Sequence, residues 1–193
     1  MLTTRRINFE AMRGELRSFL EGATWEHQFA ENGCNFWKPW ANTLHERTYK
    51  ETSWNVTPEG YLGPIYGAQW RQHGQLDHVL HCLRARPTDR RMVVSAWRPD
   101  EHSRMALPPC HVMFTVTVYG GALYLSWMQR SCDFPIGVPY NIASYALLGH
   151  LFANWAGLRY GGIDAIFCDA HIYENQLLGV AEWLHRTPRP LPG

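Results

Sequence analysis

Two segments of alternating apolar residues, joined by a pair of glycines, most constrain how this chain folds. HVMFTVTVY (111–119) and ALYLSWMQ (122–129) flank Gly120 and Gly121. Alternation with a period of two is typical of strands with one buried face, and paired glycines permit the positive φ angles of tight hairpin turns. The pattern therefore predicts an antiparallel β-hairpin.

A cysteine stands at the entrance to the first of these strands, directly after two prolines. The stretch MALPPCHV places Pro108 and Pro109 before Cys110. Because proline fixes its own φ angle, the backbone that carries the thiol is restrained. We interpret Cys110 as a side chain aimed in a set direction rather than as core filling.

The rest of the chain mixes helices and strands without a regular βαβ alternation. Residues 32–64 are predicted to be loop-rich, because Pro, Gly and Asn are scattered through them. The whole of 1–193 is predicted to be one α+β domain, with helices packed on a mixed, largely antiparallel sheet. The remaining predicted elements are helices over 9–22, 75–87, 141–158 and 173–186, and buried strands over 92–97 and 163–168.

Composition excludes several classes of protein. The net charge is only +1, which argues against a general nucleic-acid or membrane-surface binder, and no apolar run approaches the roughly 20 residues of a membrane span. Five cysteines without a CxxC pair or a signal peptide indicate reduced thiols in the cytoplasm. The best zinc candidate, Asp77 with His78, His81 and Cys82, has no second ligand pair at finger-like spacing, so we expect no metal.

Cys110 is a candidate nucleophile. A thiol attacks carbon as the thiolate, so it needs positive charge or hydrogen-bond donors nearby. His111, Arg130 and the pair Arg90 and Arg91 are possible sources. The alternative from the residues alone is a buried, inert thiol.

Arginines and a serine suggest an anion site. In QRSCD, Arg130 and Ser131 end a predicted strand and offer a planar guanidinium fork with a hydroxyl donor. Arg90 and Arg91 precede another strand and are suited to the same task. Adjacent arginines are also common on solvated edges, but together with Arg130 and Ser131 they favour an anionic substrate.

Glu15 lies on the apolar side of the first helix. It comes three residues after Met12 and four before Phe19, so the three side chains share a face. A carboxylate there needs a partner or carries a raised pKa, as a general acid or base does. The alternative is a glutamate at the edge of the apolar stripe.

Polar and aromatic residues elsewhere admit two interpretations each. Asn141 is suited to capping the long helix or to reading a base edge. His171 and Tyr173 are suited to local capping or to binding a sugar hydroxyl. Trp37 and Trp40 are suited to a platform for a flat ligand or to core plugs.

Six blocks of this sequence resemble, in order, the signature segments of the folate-dependent thymidylate synthase family. The similarity runs from about Thr3 to Pro192, and a long nucleophile block with five others in register is a very specific pattern. The blocks are LGPIYGAQWR, DRRMVVSAW, MALPPCHVMF, QRSCDFPIGVPYNIASYALLGH, DAHIYENQ and RTPRPLP.

The resemblance implies a reaction and its catalytic residues. The family transfers a one-carbon unit from 5,10-methylenetetrahydrofolate to C5 of dUMP and reduces it with the folate's own hydride. Cys110 matches the nucleophile that adds to C6. Glu15 matches the glutamate that manages protons near O4, and Tyr66 matches a residue that assists proton removal from C5. The resemblance also implies catalytic roles for Asn141 and Arg130.

The resemblance also implies the binding sites. A symmetric homodimer, sheet against sheet, is implied, in which Arg90 and Arg91 reach the phosphate bound by the other subunit. The implied contacts are Arg130 and Ser131 to the phosphate, Asn141 to the uracil, His171 and Tyr173 to the ribose, and Trp37, Trp40, Asp133 and Gly137 to the folate.

Departures from the family pattern leave other functions open. The chain starts near the end of an arginine loop that closes on phosphate, stops before a tail that shields the intermediate from water, and has unusual residues at Trp127 and Met128. A deoxypyrimidine hydroxymethylase, in which water traps the intermediate, is one alternative; cytosine-specific members carry aspartate at the position of Asn141. A non-catalytic nucleotide-binding member and a plain Cys/His hydrolase are the others.

Overall fold

The computed structural model describes residues 3–51 and 56–190, and in them one mixed four-stranded sheet. The order is β1 (Val93–Ser95), β2 (His111–Tyr119), β3 (Ala122–Asp133) and β4 (Arg159–His171). β1 pairs with β2 and β2 with β3 antiparallel, whereas β3 and β4 are parallel. The predicted hairpin and the mixed α+β architecture are thereby confirmed.

Seven α-helices are found in the described residues. Parallel strands need a long crossover connection, and α6 supplies it between β3 and β4. The helices are α1 (Phe9–Glu21), α2 (Glu26–Glu31), α3 (Thr43–Glu51), α4 (Tyr66–Arg71), α5 (Gln75–Ala85), α6 (Gly137–Ala156) and α7 (Leu177–Leu184). None of the helices in the described ranges is long and apolar enough to cross a membrane.

The core lies on one face of the sheet. Alternate residues of β3, including Leu123, Leu125 and Trp127, are buried there because successive side chains of a strand point to opposite faces. Tyr145 and Phe152 of α6 belong to the same core cluster. Burying side chains of this size stabilises a fold by about 1.5–3 kcal/mol each, so this layer fixes the position of β3 and α6.

Helices α1 and α4 approach each other unusually closely. A Cβ atom on Gly67 would lie 2.7 Å from the carbonyl oxygen of Phe19, closer than side-chain atoms normally come. Asn8 caps α1, its Oδ1 accepting a hydrogen bond from the Ala11 N–H over 3.1 Å, and Gly22 ends it at φ 81°. The close approach of Gly67 to Phe19 brings α1, which carries Glu15, against α4, which begins with Tyr66.

Two expectations about the helices are wrong in detail. Thr43–Glu51 is a helix, whereas the sequence predicted a loop there. Residues 52–55 of the predicted loop and 191–193 of the proline-rich tail lie outside the described residues. Helix α6 begins at Gly137, so Asn141 stands inside it and does not cap it. Pro139 is tolerated because it lies in the first turn, where backbone N–H groups have no helical partner.

The strand over 163–168 is not buried in this chain. Ile166 of β4 is 64% exposed, and Val93 of β1 and Tyr124 of β3 are exposed too. Tyr124 and the buried Leu125 alternate across the sheet, so a second, uncovered face exists opposite the core. The segment IDAIFC was predicted to be a buried strand, but helices cover only one face of the sheet here.

Candidate active site

A cavity of about 210 Å³ opens where α1, α4 and α6 meet the ends of β3 and β4. It brings together eleven of the fourteen site residues expected from the sequence. They are Glu15, Trp37, Trp40, Tyr66, Cys110, Ser131, Asp133, Gly137, Asn141, His171 and Tyr173.

Cys110 lies at the cavity wall with its backbone held on both sides. Its N–H donates to the Tyr66 hydroxyl over 2.6 Å, and its carbonyl oxygen accepts from the Arg130 N–H over 2.8 Å. The Arg130 guanidinium donates to the carbonyl oxygens of Pro109, at 2.9 Å, and Pro108, at 3.1 Å. The orientation of Cys110 is therefore fixed by hydrogen bonds to the backbone of residues 108–110 as well as by the two prolines.

The electrostatics around Cys110 differ from the sequence expectation. Burial raises the pKa of the thiol, while the Arg130 charge and a hydrogen bond to Tyr66 lower it in part. His111 contributes no charge, because complete burial lowers its pKa to about 3. Of the possible sources of positive charge, His111 is therefore neutral near neutral pH, and Arg130 is the cation that acts on the thiol.

Glu15 is half-buried and has a hydrogen-bond partner. The indole Nε1 of Trp37 donates to its Oε1 over 2.9 Å. Burial raises the pKa of Glu15 to about 7, and the hydrogen bond from Trp37 offsets part of that rise. A carboxyl group with such a pKa exchanges protons readily near neutral pH, as a general acid or base must.

A buried amide supports Asn141 at the cavity floor. Gln129, which precedes Arg130 on β3, donates from Nε2 to Asn141 Oδ1 and to the Ser131 carbonyl oxygen, each over 3.1 Å. Asn141 thus projects from the second turn of α6 into the cavity with one side of its amide already engaged.

Polar residues at the ends of β3 and β4 also line the cavity. Asp133 Oδ1 accepts from the Ile136 N–H, at 3.2 Å, and from Gln176 Nε2, at 3.0 Å. The rings of His171 and Tyr173 meet edge to face with centroids 5.0 Å apart. A Cβ on Gly137 would meet only ordinary contacts, so the glycine keeps this end of the cavity open rather than relieving a clash.

The two tryptophans have different environments. Trp37 is buried and packs edge to face on Phe19, so it serves as a core plug as well as the donor to Glu15. Trp40 lines the cavity while remaining partly exposed. Of the two, only Trp40 offers solvent-accessible aromatic surface of the kind expected for a flat ligand.

Three expected site residues do not line this cavity. The Arg130 guanidinium bonds to the proline loop and lies 5.1 Å from the centre of the Trp97 ring. Arg90 and Arg91 lie in the turn before β1, where the Arg91 side chain is 83% exposed and 3.5 Å from Asp89. The phosphate role of all three stays a prediction.

The sequence interpretation missed several contributors to the site. Gln129 supports Asn141, and Phe36 and Leu107 add apolar wall. His111, considered from the sequence only as a source of charge, instead stacks on Tyr66 with centroids 4.1 Å apart. Period-two alternation on β3 puts Gln129 on the same face as Ser131, and this signal was available. Nothing in the sequence indicated that His111 turns into the core.

The described residues hold no group of three or more His, Cys, Asp or Glu side chains placed to bind a metal ion. Asp77, His78, His81 and Cys82 on α5 therefore do not form such a group. All five cysteines of the sequence are free thiols in the structure.

A cysteine, an amide and a carboxyl group with a pKa of about 7 converge on one small cavity. Such a cavity on an α+β fold is typical of an enzyme active site. A family model described as thymidylate synthase matches residues 1–193, the entire chain. This chain belongs to the thymidylate synthase family, whose members carry out one-carbon transfer to dUMP with methylenetetrahydrofolate as co-substrate.

Proposed function

We propose that this protein converts dUMP to dTMP by transferring and reducing the one-carbon unit of 5,10-methylenetetrahydrofolate. The observation that carries the proposal is the convergence of Cys110, Glu15 and Asn141 on one cavity. Three different chemistries are needed there, namely attack on C6, proton exchange near O4 and recognition of the uracil edge. The cavity supplies one residue for each.

Cys110 begins the reaction. Its thiolate forms a bond to C6 of the pyrimidine, and the electron pair moves to the C5–C4–O4 enolate, which makes C5 nucleophilic. Burial raises the pKa of the Cys110 thiol, and the Arg130 charge opposes that rise by favouring the thiolate that attacks C6. C5 then bonds to the methylene carbon of the folate, while one of the two bonds from that carbon to folate nitrogen breaks and the nitrogen keeps the electron pair.

Glu15 and Tyr66 handle the protons. Glu15, with a pKa of about 7, donates protons to the O4 region and accepts them from it. The Tyr66 hydroxyl, next to Cys110, assists removal of the proton from C5. Loss of the C5 proton leaves an electron pair that forms an exocyclic C=C bond, as the remaining carbon–nitrogen bond to the folate breaks. Hydride from the tetrahydrofolate then adds to the exocyclic carbon. The C5–C6 double bond re-forms as the S–C6 bond breaks, which releases dTMP and dihydrofolate.

We also propose a homodimer with the uncovered sheet face at its interface. Ile166, Val93 and Tyr124 expose apolar surface there, and a paired copy would bury it. Arg90 and Arg91 lie in the turn at the edge of the sheet, away from the cavity of their own chain, which suits a role at the partner's phosphate. The proposed catalytic unit is one domain, 1–193, located in the cytoplasm.

Product analysis tests the reaction. The protein is incubated with dUMP and methylenetetrahydrofolate, and the nucleotide is identified by mass while dihydrofolate is followed by absorbance. We expect dTMP and dihydrofolate in equal amounts. A product heavier than dTMP by one oxygen, with tetrahydrofolate, would replace the proposal by the hydroxymethylase reaction, in which water adds to the methylene instead of hydride.

A further inference from the structure

Trp127 occupies a buried position on β3 that the proposed reaction does not use. It is 3% exposed and stacks on Tyr145 of α6, with ring centroids 4.7 Å apart and planes 14° from parallel. Phe167 of β4 packs against it edge to face at 5.8 Å. The indole is therefore clamped between two elements, and the direction of its N–H bond is fixed.

The Trp127 N–H points at the side chain of Gln129. Its Nε1 lies 3.4 Å from Gln129 Oε1, and both residues lie on the core face of β3. An indole nitrogen is a donor only, and a buried donor without an acceptor is costly. The oxygen of the Gln129 amide must therefore face Trp127.

The other end of Gln129 is fixed independently. Nε2 donates to the carbonyl oxygen of Ser131, which is an acceptor only, over 3.1 Å. A flipped Gln129 would set two acceptors against each other at Ser131 and two donors against each other at Trp127. Only one orientation of the amide satisfies both neighbours.

This orientation determines how Asn141 is presented. The second proton of Gln129 Nε2 points to Asn141 Oδ1 at 3.1 Å, so the oxygen of Asn141 is held toward Gln129. The Nδ2 protons of Asn141 are left to face the cavity. A base with a carbonyl acceptor at position 4 accepts one of them, whereas an amino group at that position opposes them donor to donor.

We propose that Trp127 is a positioning residue for base selection, which acts through Gln129 to hold the Asn141 amide in the orientation that accepts uracil and rejects cytosine. The inference rests on the proposed function, because it takes a pyrimidine nucleotide as the ligand. It adds to that function a residue outside the cavity that sets which base is bound.

Equilibrium binding of dUMP and of dCMP, without folate, tests the inference. Trp127→Phe keeps an aromatic ring against Tyr145 but removes the N–H. We expect it to lower the ratio of dUMP to dCMP affinity about fivefold, in line with the loss of one buried hydrogen bond. Trp70→Phe is the matched control, because Trp70 is equally buried and also packs near Tyr145. The ratio should stay at the wild-type value there.

A second pair of variants shows whether Trp127 acts through Gln129. Gln129→Leu should also lower the ratio, and Trp127→Phe should then have no further effect in the Gln129→Leu background. Additive effects would overturn the proposed relay. So would a wild-type ratio in Trp127→Phe, or a wild-type protein that prefers dCMP or does not discriminate. Thermal unfolding of each variant shows that it is folded.

Binding and turnover separate the two proposals. A protein that binds dUMP with the expected preference but forms no product leaves the base-selection inference standing and overturns the proposed reaction. If the wild type forms dTMP while Trp127→Phe retains the full preference for dUMP, the proposed reaction stands and the base-selection inference is overturned. A protein that binds neither nucleotide overturns both.

Discussion

The indole Nε1 of Trp37 lies 2.9 Å from Oε1 of Glu15, and this one contact joins the loop after α2 to the middle of α1. It joins a neutral donor to a half-buried carboxyl group and is not an ion pair. Burial alone would raise the pKa of Glu15 further, and the hydrogen bond holds it at about 7. Glu15 is thereby kept able to gain and lose a proton near neutral pH.

The first prediction concerns stability and pH. Glu15 titrates at about 4.5 when unfolded and at about 7 when folded, so between these values the folded state binds more protons. Stability therefore falls as pH rises from about 4.5 to about 7, by roughly 3 kcal/mol for this group at most. Glu15→Gln should remove that fall, as measured by urea unfolding at several pH values.

Glu10→Gln is the matched control for this experiment. Glu10 lies on the same helix but is exposed and paired with Arg13 at the surface. Its replacement should leave the pH dependence of unfolding as in the wild type. A Glu15→Gln protein whose stability still falls over the same range would show that another group is responsible.

The second prediction separates Trp37 from Trp40. Trp37→Phe removes the donor to Glu15, so the pKa of Glu15 should rise above its value of about 7 and the protein should lose about 1 kcal/mol of stability. The pH–rate profile for dTMP formation should move to higher pH. Trp40→Phe, which makes no hydrogen bond to Glu15 in the structure, should change the rate without moving the profile. Equal shifts in both variants would contradict the assignment.

The third prediction concerns the Tyr66 hydroxyl. Tyr66→Phe removes the acceptor of the Cys110 N–H and the group proposed to assist proton removal from C5. We expect kcat to fall at least about tenfold, with little change in dUMP binding, since the ring and its stacking on His111 remain. Tyr61→Phe is a control on a ring that packs on Trp25 instead. An unchanged kcat in Tyr66→Phe would remove Tyr66 from the mechanism.

The fourth prediction concerns the shared site of the dimer. Cys110→Ala and Arg91→Ala should each be nearly inactive alone. When the two proteins are mixed and allowed to exchange subunits, each hybrid dimer has one site with an intact Cys110 and an intact partner Arg91. Activity should return to about a quarter of the wild-type value, as random pairing of two-fold dimers requires. No recovery, with subunit exchange shown by mass, would contradict a phosphate site shared between subunits.

Local sequence patterns predicted the parts of the fold that depend on one element at a time. The hairpin around Gly120 and Gly121 and the helix Phe9–Glu21 follow from periodicity and end signals. Helix Thr43–Glu51 was missed because Leu44 is the one residue described as buried along it, so it has no apolar stripe to detect. The exposure of Ile166 was missed because a mostly apolar segment does not show which faces of a sheet are covered.

In the candidate site too, features that depend on one element could be predicted, whereas features that depend on tertiary packing could not. The aimed Cys110 and the raised pKa of Glu15 could be inferred from their positions on single elements. The neutral state of His111 and the brace from Arg130 to the proline loop could not, because both depend on how β2, β3 and α6 pack together. Tertiary packing decides such contacts, and the sequence alone carries no local signal for them.

The measurement that tests the central claim most directly is tritium release from 5-tritiated dUMP in the presence of methylenetetrahydrofolate, for the wild type and for Cys110→Ala. Loss of the C5 hydrogen requires prior attack at C6, so the wild type should release tritium and Cys110→Ala should lose at least about 1,000-fold in rate. Cys82→Ala, at a free thiol on α5 that does not line the cavity, should release tritium as the wild type does. Full release by Cys110→Ala would contradict the account.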